Sequence, residues 1–114
     1  HRGERAGRHR LPPSPADKHR ILMRAVEAFV AGDAVDFARV ASCVGYSALP
    51  GCSLLDVLFV LTAAKVGATA EEASHIRRAC ARLKRMMQDV AHVPVVRAVR
   101  ASVVGRLAAI DATV

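Results

Sequence analysis

The stretch from Thr69 to His92 repeats its apolar residues at alternating spacings of three and four. At 3.6 residues per turn, this spacing places the apolar side chains on one side of an α-helix and leaves the other side polar. The apolar positions are Ala73, Ile76, Cys80, Leu83, Met87 and Val90. Because one face of such a helix must be covered, the pattern predicts a packed helical domain around it.

Composition favours helices for the remaining chain as well. Of the 114 residues, 53% are hydrophobic but only 4% are aromatic, and there is no Trp, so the core must consist of aliphatic side chains. This length suits one domain with a modest core. The prediction is a basic tail rich in Arg, Gly and Pro over residues 1–14, followed by a single all-α domain over residues 15–114.

Capping residues predict where five helices begin. A short polar side chain or a proline marks the starts: Ser14 with Pro15, Asp33, Ser53 with Asp56, and Thr69 with Glu72. Pro94 either stops the fourth helix or starts the fifth. The expected ends are about Ala31 before Gly32, Val44 before a loop from Gly45 to Gly51, and Gly67. The third helix is apolar on nearly every side, which predicts that it is the central buried element.

A weak internal repeat relates the first and third helices at an offset of 33 residues. Ile21, Ala25 and Val26 correspond to Leu54, Leu58 and Phe59, and periods of this size are typical of stacked α-hairpins. The segment LLDVLFVLTAAKVGATAEEASHI resembles one unit of the helical-hairpin repeats of organellar RNA-binding and ribosome-associated proteins. The resemblance spans about residues 20–92 and implies two stacked hairpins with a closing helix; an ordinary helical bundle is the alternative.

The charge distribution favours an anionic partner. The net charge is +7 and is concentrated toward the two ends, whereas residues 21–68 are nearly neutral. Basic residues that could contact nucleic acid or an acidic surface lie in the tail and on the fourth helix: Arg2, Arg5, Arg8, Arg10, Arg77, Arg78, Arg82, Lys84 and Arg85. Single-strand binding by base stacking is disfavoured, because aromatic side chains are scarce.

Catalytic, metal and base-reading sites find little support in the sequence. The carboxylates occur mostly at helix starts, where capping explains them, so no enzyme, cofactor or small-molecule substrate is predicted. The side chains Cys43, Cys52, Cys80, His75 and His92 lack zinc-module spacing, and no metal site is predicted. The segment from Val40 to Ser47 is locally similar to the start of a helix-turn-helix, but an apolar helix follows where a polar recognition helix is needed.

The leading interpretation is a non-enzymatic structural or accessory part of a ribonucleoprotein, with an organellar ribosome as one setting. Its expected partners are rRNA-like RNA and neighbouring protein subunits. The alternative is a helical protein-protein adaptor that uses exposed apolar residues such as Met86. Three cysteines and an Arg-rich opening predict a reducing, intracellular compartment, with a mitochondrion or another organelle compatible. No apolar run reaches the ~20 residues of a membrane span, so no membrane insertion is expected.

Overall fold

The computed structural model describes residues 14–46, 53–89 and 94–113. This part of the chain forms five α-helices: α1 Pro15–Val30, α2 Phe37–Cys43, α3 Ser53–Lys65, α4 Ala70–Asp89 and α5 Pro94–Thr113. No strand occurs within the described ranges. The all-α prediction is confirmed, and the helices pack as a bundle.

Local capping chemistry defines both ends of α1. The Ser14 hydroxyl accepts a hydrogen bond from the Asp17 backbone N–H at 3.1 Å, and Pro15 occupies the first helical position. At the other end Gly32 has a φ of 91°, and the Asp33 N–H donates to the Ala28 carbonyl at 2.9 Å. This is the hydrogen-bond pattern of a Schellman motif, which closes a helix around a left-handed residue. Both predicted boundaries of α1 are therefore confirmed.

The predicted start of α2 is wrong by three residues. Asp36, not Asp33, caps the helix, because its side chain accepts from the Arg39 backbone N–H at 3.2 Å. The Asp33 N–H takes part in closing α1 by donating to the Ala28 carbonyl, and the next helix begins at Phe37. A second closure around Gly45, with a φ of 94°, ends α2.

The third helix is the centre of the bundle. It packs against each of the other four helices, whereas the described part of α2 packs only on α1 and α3. Its buried apolar side chains are Val57, Leu58, Val60, Leu61 and Ala64. The predicted central position of this apolar helix is confirmed.

Helices α1 and α4 lie side by side and run in the same direction. Two contacts establish this, because His19 meets Glu72 and Phe29 meets Arg82, and each pair is 53 residues apart. The direct packing of α1 on α4 closes the bundle. The apolar spacing of α1 predicts a buried side of Ile21, Leu22, Ala25, Val26 and Phe29. All of these are buried except Ile21, which is only partly so, and Met23 is buried in addition.

Apolar residues at helical spacing predict a buried stripe on α5, made of Val96, Val99, Val103, Leu107 and Ile110. Val103, Leu107 and Ile110 are buried, and the side chains of Val96 and Val99 lie outside the described set. The tail over residues 1–13, most of the loop from Gly45 to Gly51, and Val90 also lie outside the described residues. The resemblance to helical-hairpin repeats stays a prediction.

Candidate nucleic-acid interface

The N-terminus of α4 is held by a reciprocal capping box. The Thr69 N–H donates to Glu72 Oε1 at 2.9 Å, and the Glu72 N–H donates to Thr69 Oγ1 at 3.2 Å. Glu72 Oε1 also lies 3.0 Å from His19 Nε2 on α1. The bond from the Thr69 backbone and then the bond to His19 lower the pKa of Glu72. The predicted capping box is confirmed, and it also ties α4 to α1.

One side of α4 forms a large part of the core. Its buried side chains are Ile76, Ala79, Cys80, Leu83 and Met87. Burial, with a smaller contribution from the charge of Asp111, raises the pKa of Cys80 to about 11. A thiol in this environment remains protonated near neutrality, so Cys80 packs as a small apolar residue.

Arg82 points toward α1 rather than away from the bundle. Its guanidinium donates a hydrogen bond to the Phe29 backbone carbonyl and lies 4.6 Å from the centroid of the Phe29 ring. That ring in turn meets Phe37 edge-to-face, with centroids 5.3 Å apart. We call these two contacts, His19 with Glu72 and Phe29 with Arg82, the α1–α4 seam. The prediction that Arg82 binds an anionic partner competes with this internal role.

The four other predicted cations of α4 share its solvent side, which we call the basic face: Arg77, Arg78, Lys84 and Arg85, all exposed. They form two adjacent pairs seven residues apart, which is about 10.5 Å along the axis at 1.5 Å per residue. At about 100° per residue, Arg78 and Arg85 lie along one edge of this side, and Arg77 and Lys84 lie along the other. Ser74, Ala81 and Gln88 occupy the line between the two edges.

The basic face lies in a stretch of α4 without carboxylates, and Glu71, Glu72 and Asp89 lie at the two ends of the helix. The sequence from Ala73 to Gln88 contains five Lys and Arg residues and no Asp or Glu. Among the described residues, no salt bridge or hydrogen bond engages Arg78, Lys84 or Arg85. Arg77, by contrast, has an interaction within the chain. Three cations are thus available to an external anion, and Arg77 lies next to them.

Cations elsewhere in the bundle are more dispersed. On α1, Arg20 pairs with Asp17 at 2.8 Å, and the exposed Arg24 lies close in sequence to Glu27. Arg39 is the single basic residue of α2 and is exposed; α5 carries Arg97, Arg100 and Arg106, of which Arg100 is partly buried and Arg106 is exposed. The tail residues Arg2, Arg5, Arg8 and Arg10 lie outside the described residues, so their role stays a prediction. On α4, by contrast, four exposed cations share one side of a single helix.

None of the aromatic residues belongs to α4, and the one aromatic ring recorded against α4, that of Phe29, meets Arg82 in the seam. Phe29 and Phe37 pack together beside the seam, and Tyr46 stacks on Phe59 with centroids 4.2 Å apart. These are the one Tyr and three Phe of the chain. The basic face therefore offers charge and hydrogen-bond donors but no surface for stacking a base.

Several buried polar groups were not anticipated from the sequence. Asp56, only 3% exposed, has one carboxylate oxygen without a hydrogen-bond partner in the described part of the chain, and the same holds for His75 Nδ1 and Arg100 Nε. Within the described ranges, no three His, Cys, Asp or Glu side chains come together as a possible metal site. The contact of His19 with Glu72 was also not predicted from the sequence, because the two residues are 53 apart and no local signal links them.

Comparisons with protein-family models, curated proteins and solved structures find no match for this chain. Among the described helices, none combines the length and apolar character required to cross a bilayer. Function must therefore be inferred from the residues themselves, and the basic face of α4 is the feature that offers a specific chemistry.

Proposed function

We propose that this chain is a non-enzymatic structural or accessory component of a ribonucleoprotein, such as an organellar ribosome. The basic face of α4 contacts RNA phosphates, and the Arg residues of the tail add further contacts. The observation that carries the proposal is the exposed surface around Arg78, Lys84 and Arg85, in a stretch from Ala73 to Gln88 that contains no Asp or Glu. Lys and Arg side chains supply most of the affinity of proteins for nucleic-acid backbones.

The rigidity of α4 supports this role. Its N-terminus is capped by Thr69 and Glu72, and its opposite side is buried through residues such as Leu83. The cations consequently project from a backbone that is already ordered, so less conformational entropy is lost on binding than in a flexible basic segment. A rigid basic surface is suited to a structural subunit that occupies a fixed position on folded RNA.

The test is a charge reversal at the three available cations. In the variant Arg78→Glu/Lys84→Glu/Arg85→Glu, we expect loss of binding to a folded RNA while helicity by circular dichroism is retained. Binding is measured by fluorescence anisotropy between 50 and 200 mM salt. If three phosphate contacts are made, the affinity of the parent protein falls by about 40-fold across this range, from a slope near −0.9 per contact.

A matched control separates the basic face from net charge. The variant Arg24→Glu/Arg39→Glu/Arg106→Glu makes the same change in charge at exposed positions on α1, α2 and α5. It is expected to weaken RNA binding far less than the α4 variant. Equal losses in the two variants, or parent-like binding by the α4 variant, would refute the proposed role of this face.

One exposed apolar residue favours a second candidate, a protein-protein adaptor. Met86 on α4 is 44% exposed, and Met side chains adapt well to protein partners. Under this alternative, association with neighbouring subunits survives nuclease treatment and is lost in Met86→Asp. If association is instead lost on nuclease treatment and Met86→Asp has no effect, the adaptor role is excluded.

A further inference from the structure

The shape of the basic face restricts the kind of RNA that it fits. The face is convex, because it is the outer side of a single helix packed on the bundle. Its two cationic edges are separated by about 100° around the axis, which is roughly 8 Å across a helix whose diameter with side chains is 10–12 Å. Ser74, Ala81 and Gln88 lie between the edges, and we call this line the crest.

The side chains of the crest are neutral and Ala81, at its centre, is small. A segment of RNA that lies over the crest can therefore approach the helix closely. Arg78 and Arg85 then contact it along one edge of the basic face, and Lys84 contacts it along the other edge. Such an arrangement matches two lines of negative charge on either side of a groove. It matches a single line of phosphates less well, because only one edge could then be satisfied.

A folded RNA contains double-helical segments, with two lines of phosphates, and single-stranded segments, with one line. In a double helix, two phosphate backbones border each groove, and proteins recognise this form by shape and backbone contacts. Single strands are instead bound in positively charged grooves with aromatic side chains that stack on the bases. None of the four aromatic residues of this chain belongs to α4, and Phe29 meets α4 only at Arg82 in the seam, so the basic face lacks aromatic side chains for stacking.

We infer that the basic face binds the backbone of double-helical RNA, with α4 lying along a groove and each cationic edge facing the phosphates of one strand. This inference rests on the proposed function and specifies its ligand. Recognition depends on duplex shape, not on base sequence, because the face makes its contacts through charge. Arg82 takes no part, since its guanidinium is held at Phe29.

Binding is tested by fluorescence anisotropy with the parent protein and three RNA probes. These are two 16-base-pair duplexes of unrelated sequence and one unpaired 16-nucleotide strand, since 16 base pairs is about the length that a double-stranded RNA-binding domain covers. The expected result is similar affinity for both duplexes and roughly tenfold weaker binding to the single strand, a difference of about 1.4 kcal/mol. The double variant Arg78→Gln/Arg85→Gln removes two phosphate contacts and should therefore make the duplex salt slope shallower than that of the parent by about 2.

A crest substitution tests the docking geometry without a change of charge. Ala81→Leu keeps high helix propensity but places a bulky side chain between the cationic edges. It should weaken duplex binding roughly tenfold, equivalent to about 1.4 kcal/mol. The matched variant Ala108→Leu, at an exposed position on α5, should bind as the parent does.

The outcomes separate this inference from the proposed function. Equal or tighter binding to the single strand, a marked preference between the two duplexes, or parent-like binding by Ala81→Leu would overturn the duplex inference while RNA binding itself still held. Absence of binding to all three probes would overturn both.

Discussion

Arg82 and Arg85 are one turn apart on the same helix, yet they belong to different regions of the molecule. Arg82 lies in the α1–α4 seam, where the Phe29 carbonyl and ring engage its guanidinium. Arg85 lies on the basic face and has no salt bridge or hydrogen bond with any described residue. The position of the neighbouring helix, not the residue type, determines whether a cation stabilises the fold or remains available to a partner.

This difference also explains how the position of a highly charged helix, α4, is fixed within a small domain. The seam uses two long-range contacts, at Glu72 and Arg82, that lie ten residues apart on α4. Because both contacts join residues 53 apart in the chain, they fix the register of α1 against α4 as well as their proximity. The basic face can then be free of internal partners without loosening the helix that carries it.

The strongest test of the contrast uses adjacent residues on opposite sides of α4. Leu83 is 1% exposed and Lys84 is exposed. Leu83→Ala should lower the free energy of unfolding by about 2–5 kcal/mol, because it leaves a cavity in the core. Lys84→Ala should change it by less than about 0.5 kcal/mol, as is usual for surface positions. Urea denaturation followed by circular dichroism measures both free energies of unfolding. Comparable losses of stability in the two variants would mean that α4 does not have one buried side and one exposed side.

The seam itself is tested by Arg82→Ala, with Arg85→Ala as its matched control. Removing Arg82 eliminates a charged hydrogen bond and a cation–π contact, and we expect a loss of about 2 kcal/mol in the free energy of unfolding. Arg85→Ala should lose less than about 0.5 kcal/mol but should weaken RNA binding. If instead Arg82→Ala weakens RNA binding more than Arg85→Ala and leaves stability unchanged, the assignments of the two arginines must be exchanged.

The features predicted correctly from the sequence are those that local chemistry determines. The capping box of Thr69 with Glu72 joins residues three apart, so its residue types and spacing suffice to recognise it. Gly32 and Gly67 end their helices with positive φ, as expected for glycine after a helix. The central position of α3 follows from its lack of a polar face.

The features that were missed depend on contacts between distant segments. The sequence places Arg78, Arg82 and Arg85 in one arc of α4, and nothing within the helix indicates that Arg82 alone reaches α1. Deciding this requires the register of α1 on α4, which the pairs His19 with Glu72 and Phe29 with Arg82 reveal only in three dimensions. The wrong cap at Asp33 is a local error of a different kind, since the Asp33 N–H closes α1 and the nearby Asp36 caps α2.

The smallest predicted effect concerns the other end of the seam and depends on pH. The pKa of Glu72 is lowered, first by the Thr69 N–H and then by His19, below an unfolded value of about 4.3. The stabilisation from this carboxylate is therefore fully present above about pH 4.3 and is lost as the pH falls through the lower folded-state pKa. Unfolding of the parent and of Glu72→Gln should be compared by urea denaturation between pH 3 and 6.

The advantage of the parent over Glu72→Gln should shrink steadily below about pH 4.3, because protonation removes the charge that the substitution has already removed. The adjacent Glu71 is exposed and lies outside the capping box, so Glu71→Gln serves as the matched control and should retain the pH dependence of the parent. A constant difference between parent and Glu72→Gln across this range would show that the carboxylate charge does not stabilise the seam. In that case the register of α1 on α4 would depend on Arg82 and the apolar packing alone.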